Sequence, residues 1–206
     1  MSEFWEKVFR SNEKMWGENP TDNAYTVLKI LKQRKVKNLL IPGFGYGRNA
    51  KVFHEQNINV SGIEISETAI KRARLSFPIS VSILHESVTN MPFDNQVYDA
   101  IYCYSLIHLL NEEERILFIK HCFHQLKAGG IMIFVAISVE DERFGVGTET
   151  SKNTFQSPNG LSLYFYDKAS INKEFGSYNI IDLKAINEPL NKPTEKCWMV
   201  CCEKPT

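Results

Sequence analysis

Three glycines at alternate positions, Gly43, Gly45 and Gly47, lie in the stretch NLLIPGFGYGRNAKVF, between an apolar run and what reads as the first turn of a helix. Glycines at such a junction let the polar part of a ligand reach the backbone, because no Cβ stands in the way. A dinucleotide-binding turn asks for G-x-G-x-x-G, which puts a glycine at position 48, and the residue there is Arg48. The following apolar run ends in GIEIS, which places a carboxylate, Glu64, at the end of a second strand. A carboxylate in that place accepts two hydrogen bonds from the vicinal hydroxyls of a ribose, so the turn and Glu64 together specify a nucleoside. The plainer readings are a tight strand-to-helix turn with no ligand and a solvated strand end.

The elements that must position these residues are visible in the patterning. Phe4, Trp5, Val8 and Phe9 fall at helical spacing, as do Ala24, Val27, Leu28 and Leu31, and NPTD between them supplies turn and cap chemistry. From Val36 the rhythm alternates. KNLLI, INVSGIEI, ISVSILHES, VYDAIYCYS and IMIFVAIS read as strands. GRNAKVFHEQN, SETAIKRARLSF capped by Ser66, and NEEERILFIKHCFHQLKAGG read as helices. The last opens with Asn111 and Glu114 as a capping box and is expected to end at Gly129-Gly130. This order predicts an α/β fold with a doubly wound, mostly parallel sheet. Residues 139 to 166 break the rhythm with a long polar stretch that ends in aromatics. DKASINKEFGS then reads as a helix, and YNIIDLKAINE and KCWMVCCEK as two closing strands, an antiparallel pair at one edge.

The sequence adds further segments in a fixed order: MPF, YDAIYCYSLIHLL and QLKAGGIMIF follow the glycine turn and the strand-end Glu64. Together the five resemble a class I S-adenosylmethionine-dependent methyltransferase over about residues 36 to 138. IPGFGYG, GIEIS and the aromatic N-terminal helices are similar to the thiopurine and tellurite-resistance branch, as is YFYD with INKEFGSYNIID near the C-terminus. The resemblance implies a Rossmann-like sheet of seven strands with an antiparallel edge strand. It implies one domain over 1–206, with helices covering the pocket in 1–35, a cofactor-binding core in 36–138, and a substrate-side segment with closing strands in 139–206. It further implies that Gly43, Phe44, Gly45 and Gly47 wrap the methionine part of S-adenosylmethionine. Glu64 would hold the ribose, Ile65 would lie on an adenine face, Ser87 and Val88 would sit at the adenine edge, and Tyr104, Ser105 and Leu106 would line the floor near the sulfonium. Many members carry an acid where this chain has Ile41, and Asp where it has Ser87.

Methyl transfer to a thiol, a selenol or another soft anion needs alignment and a dry site more than acid–base help. An oxygen or nitrogen acceptor asks for a base, and His108 in YSLIHLL is the candidate, its other reading being a structural histidine at a helix start. Trp16 is expected at the pocket, with Phe4 and Phe9 in the core. Phe155, Tyr164 and Phe165 are expected against a small, partly apolar acceptor. His54, His85, His121 and His124 have no metal-ligand spacing, so no metal is expected.

Composition bounds the rest. With 24 basic and 24 acidic residues in 206, no charge argument favours nucleic acid or an anionic membrane, and KRAR at Lys71 to Arg74 reads as a solvated helix face. No apolar run has membrane-spanning length, and the start lacks a signal-peptide core. Five cysteines without a C-x-x-C pair suggest a reducing cytoplasm. The alternatives to a methyltransferase are a nucleoside-binding protein of the same fold without catalysis, and an NAD-dependent oxidoreductase, against which Arg48 stands.

Overall fold

The computed structural model describes residues 2–12, 16–91, 97–189 and 194–206. It opens with two helices, α1 (Ser2–Ser11) and α2 (Asp22–Gln33). Thr21 caps α2, its Oγ1 accepting from the Ala24 N–H at 3.2 Å, and Ala24, Val27 and Leu31 turn one face of that helix into the core. The alternating section runs β1 (Asn38–Pro42), α3 (Ala50–His54), β2 (Asn59–Glu64), α4 (Glu67–Ala73), β3 (Ile83–His85), β4 (Tyr98–Tyr104), α5 (Glu112–His124) and β5 (Leu126–Ile137). Three short strands follow, β6 (Thr148–Ser151), β7 (Thr154–Gln156) and β8 (Ser162–Tyr164), and then α6 (Lys168–Phe175), β9 (Ile180–Glu188) and β10 (Glu195–Glu203).

The main sheet has the order β3-β2-β1-β4-β5-β10-β9. Strands β1 to β5 pair in parallel, while β10 is antiparallel to both of its neighbours, so the antiparallel strand sits one place in from the edge and β9 closes it. Side-chain alternation along each strand sorts two cores. Leu39, Tyr102, Ile133 and Met199 pack on one face with α2 and α3. Leu40, Cys103, Phe134 and Val200 pack on the other with α5 and α6. The chain order reverses where β1 lies between β2 and β4. In open α/β sheets the crevice beyond the carboxyl ends at such a reversal is where ligands bind.

Several elements differ from the sequence expectation. Gly129 and Gly130 do not end a helix: α5 stops at His124, and both glycines lie inside β5, whose pairing with β4 shifts register between Tyr98 and Ala100. The expected helix from Gly47 begins only at Ala50, because Arg48 and Asn49 remain in the turn, where Asn49 Oδ1 accepts from the Thr21 N–H at 2.9 Å. Strand β3 keeps three residues of the expected nine. The polar stretch from 139 to 166 holds a separate antiparallel sheet, β6-β7-β8. The Asn111–Glu114 capping box forms as expected, and Asp167 with Ser170 makes a second one on α6. Pro92 and Phe93 of the MPF segment lie outside the described residues. All five cysteines are free and buried. Among the described residues no helix is long and apolar enough to cross a membrane.

Candidate functional site

A cavity of about 320 Å³ opens beyond the carboxyl ends of β1, β2 and β4. Its size is in the range of small-molecule sites. Ile41, Gly43, Phe44 and Gly45 line it from β1, Glu64 and Ile65 from β2, Ser87 and Val88 from the segment after β3, and Tyr104, Ser105 and Leu106 from β4. A Cβ on Gly45 would meet nothing nearer than Phe9 Cζ at 4.0 Å, so this glycine leaves open space beneath the Phe9 ring. Gly47 does otherwise. It has φ 84°, and a Cβ there would come within 2.3 Å of Phe77 Cε2, so it serves the packing of Phe44 and Phe77 under the turn and does not line the cavity.

Glu64 ends β2 almost completely buried. Its Oε2 accepts from the Gly45 N–H at 2.7 Å and its Oε1 from the Ser66 N–H at 2.8 Å. Burial pushes its carboxyl above the usual range, and the backbone donors at Ser66, Gly45 and Ile65 oppose that shift. Each oxygen keeps a lone pair for a further donor. At the end of β4, Ser105 adopts φ 52°, left-handed backbone that only a constrained serine holds, and its Oγ has no partner among the described residues. The Tyr104 hydroxyl is likewise buried and unpartnered. Open backbone at Gly45, spare carboxylate lone pairs and two orphaned hydroxyls fit a polar nucleoside ligand.

Aromatic residues of the N-terminal segment close the cavity. Trp5 and Phe9 of α1 line it, and Trp16 stacks on Tyr46 with ring centroids 6.4 Å apart and planes 16° off parallel. Phe9 was expected in the core and is buried, yet its ring forms part of the cavity wall. Glu6 fastens α1 across the opening. It accepts from Ser66 Oγ and Thr68 Oγ1 at 2.6 Å each and from the Thr68 N–H at 3.2 Å, at the start of α4. The Ser66 bond foremost, with the Thr68 bonds, lowers its carboxyl to about 2. Arg48, in the cavity wall, reaches the Trp16 carbonyl.

The far end of the cavity is built by Leu106, His108 and Leu109 after β4, Leu161 and Leu163 around β8, and an ion pair from distant segments. Arg143 Nε lies 2.8 Å from Asp141 Oδ1 and its Nη1 lies 3.1 Å from Glu195 Oε1. The aromatics expected here are elsewhere. Phe155 and Phe165 pack with Phe144 in a cluster of their own, ring centroids 5.1 to 6.0 Å apart, which satisfies their apolar rings away from the cavity. Tyr164 lies over Arg115, 3.7 Å from its Cζ, beside a second depression of about 870 Å³ that shares His108, Leu109, Leu110, Glu114 and Leu161 with the first. The leucines between those aromatics face the cavity instead.

Glu188 closes β9 with 2% exposure and an Oε2 that has no partner among the described residues. Burial first, then nearby Asp22 and Glu195, push its carboxyl from an ordinary 4.5 up to about 7, against an opposing Asn23 N–H. A raised folded value means that its contribution to stability is complete below 4.5 and is lost as pH rises through about 7. Glu188→Gln should therefore remove up to about 3 kcal/mol of pH-dependent destabilisation between pH 4.5 and 8. Denaturant midpoints across that range check it. Parallel curves for the two proteins would exclude the assignment.

Residues 40–130 match the family described as a methyltransferase domain. Over that stretch the chain is similar to methyltransferase domains. Thiocyanate methyltransferase 1 of Brassica oleracea is 21% identical over 156 residues, which cover 74% of this chain and 69% of the relative. The uncharacterized methyltransferase YdaC of Bacillus subtilis is 26% identical over 142 residues, 68% of this chain and 75% of the relative. Among solved structures, the 1,6-didemethyltoxoflavin-N1-methyltransferase of Burkholderia thailandensis, with 1,6-didemethyltoxoflavin and S-adenosylhomocysteine bound, superposes with a TM-score of 0.78 at 12% identity, covering 100% of this chain and 87% of that one. The seven-stranded architecture is shared with that Burkholderia enzyme, whose structure holds S-adenosylhomocysteine.

Sequence reasoning had placed Trp16, Gly43, Phe44, Gly45, Glu64, Ile65, Ser87, Val88, Tyr104, Ser105, Leu106 and His108 at the site, and all of these line the cavity. It missed Arg48, Arg143 and Glu195 as wall residues. Arg48 carried a signal, since it follows the glycine turn directly; Arg143 and Glu195 meet from segments with no local motif.

Proposed function

We propose that this methyltransferase domain methylates a small acceptor through a soft chalcogen atom, a thiol, selenol or related anion. The observation that carries the nucleoside half of the reading is the buried Glu64, set against open backbone at Gly45 beneath Trp5, Phe9 and Trp16. The acceptor half is supported by the leucine-lined far end and by the likeness to a thiocyanate methyltransferase. When bound, S-adenosylmethionine supplies an electrophilic methyl carbon, to which the acceptor's lone pair bonds as the carbon–sulfur pair returns to sulfur.

The chain's own residues bind, orient and exclude water. Glu64 would accept from the ribose hydroxyls, Ile65 would lie against adenine with Ser87 and Val88 at its edge, and the backbone at Gly43 and Gly45 would receive the methionine part. Leu106, Leu109, Leu161 and Leu163 hold a soft nucleophile out of water, where alignment contributes most of the acceleration. Calorimetric titration with S-adenosylhomocysteine, with NAD alongside, tests the reading, followed by a screen of thiols and selenols. Micromolar binding of the first ligand alone, with methylation of a thiol or selenol, is the expected result. Binding without turnover across the screen would leave a nucleoside-binding protein of this fold.

A further inference from the structure

His108 sits after β4 with 7% exposure, in the wall shared by the cavity and the second depression. Its Nδ1 lies 3.3 Å from the Ile137 backbone nitrogen. That backbone N–H only donates, so Nδ1 must present a lone pair to it, and the proton of the neutral ring must sit on Nε2. An imidazolium would set one N–H against another. The Nε2 makes no hydrogen bond to any described residue. Burial foremost, and Arg143 next, lower this histidine to about 3, with Asp141 opposing.

From this tautomer, and resting on the methyltransferase reading above, we infer that His108 is a fixed Nε2–H donor to the acceptor and not its base, and that the acceptor is a nucleophile already ionised at neutral pH. The cavity's other carboxylates are paired or stand away from the acceptor end. Glu195 is held by Arg143, Glu114 closes the capping box with Asn111, and Glu64 and Glu86 stand at the β2–β3 end. Tyr102 donates to Asn23 Oδ1 at 2.9 Å, and burial raises both the Tyr102 and Tyr104 phenols. Glu188 is not among the lining residues. An anionic acceptor needs none of them: its own lone pair makes the new bond, the sulfonium leaves as a neutral thioether, and no proton is released to the protein. The Nε2–H meets the anion before transfer and fixes its direction of approach, at a cost in nucleophilicity that the alignment must exceed.

Two measurements test this. In ¹⁵N-histidine spectra, with His108→Gln to assign the ring, Nδ1 of His108 should appear unprotonated and Nε2 protonated throughout pH 5 to 8. The reverse tautomer, or titration in that interval, would overturn the inference. In assays with nitro-, chloro- and unsubstituted thiophenol, whose thiols ionise at successively higher pH, the acidic limb of kcat/KM should move with the thiol. His108→Gln, which offers an amide N–H in the same direction, should retain most of the rate, while His108→Phe loses about 10- to 100-fold, as expected for a lost hydrogen bond to an anion. S-adenosylhomocysteine affinity should be unchanged in both. A limb fixed at one pH for all three thiols, equal losses in the two variants, or no turnover of any thiol by protein that binds S-adenosylhomocysteine would each overturn it. Failure to bind S-adenosylhomocysteine at all would instead remove the underlying methyltransferase reading.

Discussion

Glu64→Ala should weaken S-adenosylhomocysteine by about 1.5–3 kcal/mol, roughly 10- to 150-fold in Kd. The affinity term comes from losing charge-assisted acceptance of the ribose hydroxyls in a buried place, where water cannot substitute cheaply. The carboxylate has a second task, because it also takes the Gly45 and Ser66 N–H groups and so ties the glycine turn to the start of α4. Glu64→Gln keeps the side-chain volume but not the pair of acceptors. Its amide oxygen can satisfy only one of those donors while its NH₂ faces the other, so the turn is disturbed although the volume is kept. The glutamine variant should consequently bind no better than the alanine one. Calorimetry on both proteins decides it: wild-type affinity in Glu64→Ala takes Glu64 out of the ribose site.

What could be read in advance follows from how local each cause is. Glycine turn, Glu64 and Ser66 cap lie within a single strand–turn–helix–strand unit, where spacing along the chain is spacing in space. Strand β5 announces itself because burial on both faces leaves an unbroken apolar run from Ile131 to Ile137. Strands β6 to β8 do not: each has three or four residues and β6 is exposed throughout, so no alternation develops. Aromatic type placed Phe155 and Phe165 against an acceptor but carried no information on what they touch, and Phe144 supplies the partner. Gly47 shares its motif with Gly45, yet the turn sends its missing side chain toward Phe77 and not toward the ligand. The Arg143–Glu195 and Arg115–Glu174 pairs join residues from remote segments, beyond the reach of any periodicity.

The second of those pairs predicts the largest effect on stability. Arg115 on α5 and Glu174 on α6 are 4% and 2% exposed at their side chains, joined through Arg115 Nη2 to Glu174 Oε1 at 2.8 Å and Arg115 Nε to the same oxygen at 3.0 Å. Tyr166 donates its hydroxyl to Glu174 Oε2 at 2.7 Å, and Arg115 Nη1 donates to the Leu110 carbonyl at 3.0 Å. Glu174→Ala would leave a guanidinium buried without its counter-charge and a phenol without its acceptor. The expected loss is about 3–5 kcal/mol, a fall of roughly 10 °C in Tm for a chain of this size. Replacing both charges with apolar residues, Arg115→Met with Glu174→Leu, should recover most of it, since the penalty lies in the uncompensated ion more than in the missing attraction. The double variant also loses the bond to Leu110, which stands in the wall of both cavities. It should therefore fold nearly as well as the wild type and bind S-adenosylhomocysteine normally, yet show a raised KM for the acceptor. A double variant as unstable as Glu174→Ala would mean that the attraction itself carries the stability, and an unchanged acceptor KM would mean that the ion pair does not brace the wall against which the acceptor lies.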